Sequence, residues 1–136
     1  MKKFEFLEHT ADAKFLAYGK TLEEAFSNAA LALFTLMTDV SKVKPRVKKH
    51  ITVTSSSREA MLYDFLESLV VLIDTEGFLL HEMKNMQITG NVLSADAYGD
   101  HAEGYDVHTH IKAITYNDMF IKEEKGKFIL QVVPDI

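Results

Sequence analysis

The sequence contains no cysteine, only two prolines and only six glycines, which are dispersed among its 136 residues. The lack of cysteine excludes a disulfide, a thiolate nucleophile and a cysteine-ligated zinc site. The glycines form neither GxGxxG nor GxxxxGK[ST], the loops that bind nucleotide phosphates, and no GxSxG nucleophile motif occurs. Because no set of nucleophile, base and oxyanion donor can be assembled, we predict no catalytic residues.

Long apolar segments and an excess of positive charge are also lacking. The longest apolar run, residues 69–73, is far shorter than the roughly 20 residues that span a bilayer. The first lysines are followed by Glu5 and Glu8 rather than by the apolar region of a signal peptide. We therefore expect a cytoplasmic protein without a membrane contact. The formal charge of −5 predicts that any contact with RNA is indirect or weak.

What the chain does contain is typical of one globular domain. Hydrophobic residues make up 47% and charged residues 26%, and the length is sufficient for a buried core. No linker rich in proline, glycine or serine divides the sequence, and no repeat with a fixed period is present. We predict a single domain over residues 1–136.

Two helices are indicated by capping motifs that are followed by apolar stripes. Thr21 and Glu24 form the first capping box, and Ser56 and Glu59 are predicted to form the second. Gly77 is placed where a left-handed residue would end the second helix. The apolar positions at helical spacing are, for the first helix, Leu22, Ala25, Phe26, Ala29, Leu33, Leu36 and Met37 and, for the second, Leu62, Phe65, Leu66, Leu69, Val70 and Ile73.

Most of the remaining chain shows the alternation of polar and apolar residues that is typical of strands. Glu124, Lys125, Gly126 and Lys127 predict a hairpin turn between the last two strands. The predicted fold class is α+β, with two helices packed on a mostly antiparallel β-sheet. The predicted strands cover residues 4–6, 14–18, 50–54, 78–83, 86–89, 92–98, 107–116, 119–122 and 128–133.

The connection after the first strand concentrates polar groups. Asp12 could act as a hard oxygen ligand for a metal, and His9 could carry a proton or orient another group. The simpler explanation is a turn in which Thr10 and Asp12 accept hydrogen bonds from nearby backbone N–H groups. Composition alone favours the turn.

The C-terminus places two carboxylates close together. The strand over residues 128–133 runs almost to the last residue, so it would hold the Asp135 side chain and the α-carboxylate of Ile136 at a fixed place. Carboxylates that close either share a proton or bind a cation. With Asp12 added, an all-oxygen set suits calcium, magnesium or manganese better than zinc. The alternative is a frayed, solvated terminus.

Other polar groups have simpler explanations. His108 and His110 would share one face of a predicted strand, but a third metal ligand is not in view. The acidic stretch over residues 96–106 lacks the ligand spacing of an EF-hand loop and is interpreted as a solvated loop. The basic cluster over residues 42–49 could contact phosphates or an acidic partner, but a solvated linker and strand explain it better.

Several segments, in order along the whole chain, resemble the archease family. The HTAD element at residues 9–12 and the terminal Asp135-Ile136 are the most specific of them. The matching segments are FLEHTAD at 6–12, AYGKTLEEAF at 17–26, LMTD at 36–39, FLE at 65–67, DTEG at 74–77, AYG at 97–99, KAITY at 112–116 and VVPDI at 132–136.

The resemblance implies an α+β protein without enzymatic activity of its own. Archeases activate the tRNA-splicing RNA ligase, which joins RNA ends with GTP through a covalent histidine–GMP intermediate, and they promote its guanylylation and turnover. The family's metal site falls on Asp12, Asp135 and Ile136 of this sequence, and the family suggests calcium as the metal.

The sequence departs from the family pattern at three places, one of which is the stretch over residues 100–106. Asn117 follows Tyr116 where the family would have a histidine, and Pro134, which has no N–H, precedes Asp135. Two other functions remain open at the level of sequence. One is a chaperone-like binding module for another RNA-processing enzyme, such as a tRNA methyltransferase. The other is a metal-dependent hydrolase that uses His9 with Asp12.

Overall fold

Two capped helices organise the protein in the computed structural model, which describes residues 1–8 and 13–136. Helix α1 spans Leu22–Thr35 and helix α2 spans Arg58–Glu76. The Thr21 hydroxyl accepts a hydrogen bond from the Glu24 N–H at 3.0 Å, and the Glu24 carboxylate accepts one from the Lys20 N–H at 3.0 Å. The first bond satisfies an N–H group that the first turn leaves without a partner, and the second fixes the residue before the cap. The predicted start of α1 is confirmed.

Helix α2 begins one residue later than the sequence pattern predicts. The Ser57 hydroxyl, not that of Ser56, accepts the hydrogen bond from a helix N–H, that of Ala60 at 3.1 Å. Gly77 ends the helix with φ of 66°, in the left-handed region, and its N–H donates to the Ile73 carbonyl at 2.9 Å. The predicted helix end is confirmed, because glycine reaches this conformation without the clash that a Cβ would cause.

The strands form antiparallel sheets only, within the described residues. They are β1 Phe4–Phe6, β2 Phe15–Gly19, β3 Val47–Thr54, β4 Phe78–Thr89, β5 Val92–His101, β6 Ala113–Ile114, β7 Phe120–Glu124, β8 Lys127–Val132 and β9 Pro134–Asp135. A four-stranded sheet has the order β1-β2-β8-β7, a three-stranded sheet has the order β3-β5-β4, and β6 pairs with β9. A short 3-10 helix, Val40–Lys42, follows α1. The predicted α+β class is confirmed.

The core lies between the two helices and the inner faces of the sheets. Helix α1 packs against β2, β4 and β8, whereas α2 packs against β3, β4, β5 and β6. The rings of Phe26 in α1 and Phe65 in α2 lie 6.1 Å apart between their centroids and join the two helices. Phe15, Phe34 and Phe78 are also fully buried. The alternating faces of the strands and the stripes of the helices therefore close on one hydrophobic core.

Three predicted strands differ from the structure. Residues 78–83 and 86–89 belong to the one strand β4, which has an irregular register between Lys84 and Gln87 and a left-handed residue, Asn85, with φ of 56°. The predicted strand over 107–116 is wrong, because only Ala113–Ile114 forms β6. The rest of that segment is not in a strand, although Ile111 is fully buried and the Lys112 N–H donates to the Asp135 carbonyl.

Neither helix in the described part of the chain combines the length and the apolar composition that crossing a bilayer requires.

Gly99 tests how closely the sheet packs. A Cβ added to Gly99 would lie 1.8 Å from the Leu79 carbonyl oxygen, which is backbone and cannot move away without breaking the sheet. We expect Gly99→Ala to lower the free energy of unfolding by about 3 kcal/mol through overpacking. Gly77→Ala, which meets only Ala102 at 4.0 Å but keeps a positive φ, should cost about 1 kcal/mol. Urea unfolding of both variants measures this, and equal losses would contradict it.

Candidate functional site

The end of the chain is held in place by its pairing with β2. Strand β8 runs antiparallel to β2, with Val132 opposite Phe15 and Phe128 opposite Gly19. The chain after Val132 and the chain before Phe15 therefore lie at the same end of the four-stranded sheet. The Leu7 N–H donates to the Lys14 carbonyl at 2.8 Å, which brings the two sides of the first connection together at this end.

The last residues are attached to the body of the protein through β6. The Lys112 N–H donates to the Asp135 carbonyl at 2.8 Å, and the Thr115 hydroxyl donates to the Val133 carbonyl at 2.7 Å. Pro134 lies opposite Ile114 and offers no N–H to the pairing. The Ile114 N–H donates to the Glu67 carboxylate of α2 at 3.0 Å. A side chain of α2 thus satisfies the N–H group on the partner strand.

Two of the three predicted metal ligands lie at this strand end. Asp135 is half-buried in β9, and Ile136 is 40% exposed. Residues 134–135 are therefore not a frayed terminus. Asp12 and His9 lie outside the described residues, so the proposed three-residue set stays a prediction. Within residues 1–8 and 13–136, no group of three histidine or acidic side chains is arranged to hold a metal ion.

The chemistry of the terminal groups fits a hard cation. Asp135 offers carboxylate oxygens, and no lysine or arginine among the described residues lies within ion-pair distance of them. The terminal carboxylate would add oxygens of the same kind. Oxygen donors without nitrogen or sulfur suit calcium or magnesium.

The two histidines of the 107–116 segment do not share a strand face, so that prediction is wrong. The His108 N–H donates to the Met37 carbonyl at 2.9 Å. The His110 ring lies 3.8 Å from the Asp74 carboxylate of α2. His108 also lines an open cleft of about 450 Å³ together with Thr38, Asp39, Lys42, Gly104, Tyr105 and Asp106.

Asp39 in this cleft has a structural role. Its carboxylate caps the 3-10 helix by accepting hydrogen bonds from the Ser41 hydroxyl at 2.6 Å and from the Ser41 N–H at 3.1 Å. The hydroxyl bond is the main reason why the pKa of Asp39 is lowered. The cap satisfies the backbone where the chain leaves α1.

The sequence predicted a solvated loop over residues 96–106, but part of this acidic stretch lies in a strand and its carboxylates have partners. Asp100 is only 8% exposed, and its carboxylate accepts a hydrogen bond from the Tyr105 hydroxyl at 2.7 Å and lies 3.2 Å from the Arg46 guanidinium. Asp96 accepts from Asn85 at 2.9 Å and contacts the His50 ring at 2.8 Å on the outer face of the three-stranded sheet. Both residues belong to strand β5.

Two residues of the basic cluster over 42–49 also form ion pairs within the protein. Arg46 pairs with Asp100, and Lys49 pairs with Glu76 at the end of α2. Part of this cluster therefore joins the edge strand β3 to the rest of the protein.

The structure also contains a stacked pair of tyrosines that the sequence does not predict. The rings of Tyr63 in α2 and Tyr116 are stacked, with 4.4 Å between the centroids and an angle of 9° between the planes. Burial, followed by the nearby charge of Asp64, raises the pKa of Tyr116. The two tyrosines are 53 positions apart, and no local pattern pairs residues at that distance.

Known proteins resemble this chain over nearly its whole length. The model of the Archease protein family matches residues 4–136. The chain belongs to the archease family. The archease of Sulfolobus acidocaldarius is 41% identical over 139 residues and that of Thermococcus kodakarensis is 42% identical over 142 residues. In both comparisons the alignment covers 100% of each chain.

Solved archease structures share the fold. The solution structure of protein 1598 of Methanobacterium thermoautotrophicum is similar with a TM-score of 0.84 and 37% identity, covering 100% of both chains. The crystal structure of an archease from Thermotoga maritima, described as a possible chaperone, has a TM-score of 0.68. That protein is 20% identical over 96% of this chain and 94% of its own, so it supports the fold alone.

The hydroxyl of Thr115 is expected to help anchor the terminal strand. Thr115→Val keeps the shape of the side chain but removes the donor to the Val133 carbonyl, which should lower the free energy of unfolding by about 1 kcal/mol. Amide exchange of residues 112–114 and 135 should accelerate in this variant. Unchanged exchange there would contradict the anchoring role.

The Asp100–Tyr105 bond predicts a pH dependence of stability. The Tyr105 hydroxyl, above all, lowers the pKa of Asp100 from its ordinary value of 3.8. A carboxylate with a lowered pKa stabilises the fold above its ordinary pKa, and this contribution is lost as the pH falls through the folded-state pKa. We expect Tyr105→Phe to be less stable than the native protein at neutral pH, with the difference narrowing below about pH 4. A difference independent of pH in chemical unfolding would contradict this.

Proposed function

We propose that this chain is a non-catalytic, cytoplasmic activator of the GTP-dependent tRNA-splicing RNA ligase, which promotes guanylylation of the ligase and its turnover. Membership of the archease family over residues 4–136 is the observation that carries the proposal. The role as ligase activator comes from what archeases do, as the sequence motifs of this chain imply.

The geometry of the terminal strand supports a role for the predicted ligands. Lys14 and Val133 flank the pair Phe15–Val132 at one end of the sheet. Asp12 lies two residues before Lys14 in the sequence, and Asp135 lies two residues after Val133. Two residues of chain span at most about 7 Å. Asp135 is therefore close to this end of the sheet, and Asp12, which lies outside the described residues, is assigned to the same site from its place in the family motif.

The residues that would hold the cation are Asp12, Asp135 and the carboxylate of Ile136, with calcium as the ion that the family suggests. A hard divalent cation at this place would offset negative charge on phosphate oxygens. The chain's own contribution is to hold the backbone at Asp135 in place, through the bond from the Lys112 N–H to the Asp135 carbonyl and the bond from the Thr115 hydroxyl to the Val133 carbonyl. A backbone that is already held loses little conformational entropy when the cation or the partner binds.

Removal of the predicted ligands should abolish activation without unfolding the protein. We expect Asp12→Ala and deletion of Ile136 each to reduce ligase guanylylation to the level measured without this protein. Transfer of labelled GMP from GTP to the ligase, in a titration with calcium and with magnesium, measures the effect. Multiple-turnover RNA ligation provides the second readout.

Glu124→Ala is the matched control. Glu124 is an exposed carboxylate at the hairpin opposite Lys127, at the far end of β8 from Val132. Its loss changes the net charge by the same amount as Asp12→Ala, and stimulation should be retained. Full stimulation by both ligand variants would refute the role of the terminal cluster.

A chaperone-like role for another RNA-processing enzyme, such as a tRNA methyltransferase, makes the opposite prediction. A broad surface would then matter, Asp12→Ala would be silent, and the methyltransferase rather than the ligase would co-purify. A metal-dependent hydrolase would act on nucleotides or RNA with no ligase present, so incubation of the purified protein alone tests the third possibility.

A further inference from the structure

One side of helix α2 carries an unusual charge pattern. The helix contains one basic residue, Arg58, and five acidic ones, which are Glu59, Asp64, Glu67, Asp74 and Glu76. No basic residue lies in its last turn, where Asp74 and Glu76 instead face the negative end of the helix dipole. Local helix stability disfavours this placement. Departures from local rules of this kind are expected where function selects the residue.

Three of these acidic residues share a solvent-facing side with an exposed aliphatic residue. At 3.6 residues per turn, Asp64, Glu67, Val71 and Asp74 fall within roughly a quarter of the helix circumference. The buried residues of α2, which are Met61, Leu62, Phe65, Leu66, Leu69 and Val70, lie on the other side. Val71 is 49% exposed. This side of the helix is therefore acidic with an apolar residue between the charges.

The segment that leads to β6 runs beside this side of α2 in the opposite direction. His110 lies beside Asp74, Ile114 donates to Glu67, and Tyr116 stacks on Tyr63. The segment therefore covers one border of the helix and presents Tyr116 at the end next to Asp64. We call Asp64, Glu67, Val71, Asp74 and Tyr116 the acidic aromatic face.

Tyr116 is the most exposed aromatic side chain of the described residues, at 55%. One side of its ring is occupied by Tyr63, so the other side of the ring is available to a ligand. Tyr63 also fixes the plane of the ring, which reduces the entropy lost when something stacks on it. The effect of Asp64 on the pKa of Tyr116 indicates that the ring lies within the field of that carboxylate.

These features suit a cation with a flat, partly apolar surface. A guanidinium group stacks on aromatic rings and binds carboxylates through two parallel hydrogen bonds. Asp64 already accepts one hydrogen bond, from the Ser55 hydroxyl at 2.7 Å to its Oδ2 atom. Its Oδ1 atom has no hydrogen-bond partner among the described residues. RNA would meet three carboxylates here, so its phosphates are repelled.

We propose that the acidic aromatic face is the docking surface for a basic segment of the partner ligase, with an arginine side chain of that segment stacked on Tyr116 and paired with Asp64. The inference rests on the proposed function, because it takes the RNA ligase as the partner. Val71 provides the apolar contact between the charges. Asp135, one of the predicted cation ligands, lies on the neighbouring β6–β9 pair. Docking here would therefore bring the predicted cation site to the ligase.

The role of Tyr116 is tested by the affinity of the purified ligase for variants of this chain. Tyr116→Ala should weaken binding about tenfold or more, as the loss of an interface anchor does. Tyr116→Phe keeps the ring and should bind like the native protein. Native affinity of Tyr116→Ala would overturn the proposal.

A charge reversal on the same face has a matched control. Val71→Lys places a positive charge between the carboxylates and should weaken binding by a similar factor. Val92→Lys makes the same change at a residue that is 38% exposed at the start of β5 and does not belong to the face, and it should leave affinity unchanged. Equal effects of the two lysine variants would show a dependence on net charge alone and would overturn the proposal.

Stimulation of guanylylation separates docking from the terminal cluster. At saturating concentration, Tyr116→Ala should recover most of the stimulation, because the terminal carboxylates are still present, whereas deletion of Ile136 should not. Stimulation by the native chain together with unchanged binding of all face variants would overturn this inference and leave the proposed function intact. If the native chain neither binds nor stimulates the ligase, the proposed function fails, and this assignment of the partner fails with it.

A single-stranded RNA oligonucleotide serves as the last probe. We expect no change in the amide and side-chain NMR signals of Tyr116 when RNA is added in the absence of the ligase. Binding of RNA that is lost in Tyr116→Ala would identify the ring as a platform for nucleobases and would overturn the assignment to a basic protein segment.

Discussion

The pairing of β8 with β2 determines where the residues after Val132 lie. Because Val132 lies opposite Phe15, the terminal residues emerge at the edge where the chain enters β2. Phe15 and Val132 are both fully buried, so a shift of this register by one residue would turn both side chains out of the core. The hydrophobic effect thus fixes the position of a polar terminus. A functional group at the end of a chain is otherwise among the least constrained groups in a protein.

Helix α2 has two distinct sides, and one of them supports the terminal strand. Its inner side closes the core against α1 and the sheets, while its outer side supports β6, the partner of the terminal strand. Glu67 connects the two roles, since it lies on the outer side and accepts the hydrogen bond from the Ile114 N–H. Without that carboxylate, the N–H opposite Pro134 would lack a protein partner. A change on α2 can therefore reach the terminal strand through one hydrogen bond.

Sequence patterns predicted those elements whose signals are local. Thr21 with Glu24, and Gly77, each act within a few residues, and the structure confirms both helix ends. The exact cap of α2 was missed because three consecutive serines offer the same hydroxyl, and only the path of the chain selects Ser57. Local chemistry limited the choice to neighbouring positions but could not decide among them.

Features that depend on partners distant in sequence could not be predicted. Residues 107–116 alternate like a strand, but they bond to α2, to the last residues and to the connection after α1, as the bond from the His108 N–H to the Met37 carbonyl illustrates. Asp100 was expected to be solvated, because nothing near it in the sequence shows that Arg46, 54 positions away, approaches it. Within the candidate site, the sequence predicted that the strand before Asp135 and Ile136 holds them in place, and their role as metal ligands stays a prediction. The stack of Tyr63 on Tyr116 could be seen only in the fold.

The two proposed surfaces are physically connected. The acidic aromatic face and the terminal strand share the segment from Lys112 to Tyr116, whose one end bonds to Asp135 and whose other end stacks on α2. A partner that holds Tyr116 therefore also restrains the strand that carries Asp135. Restraint of a site by a distant contact lowers the entropy lost when the site itself binds. Docking and presentation of the terminal carboxylates would then be coupled through a five-residue segment, without any change in the position of the core.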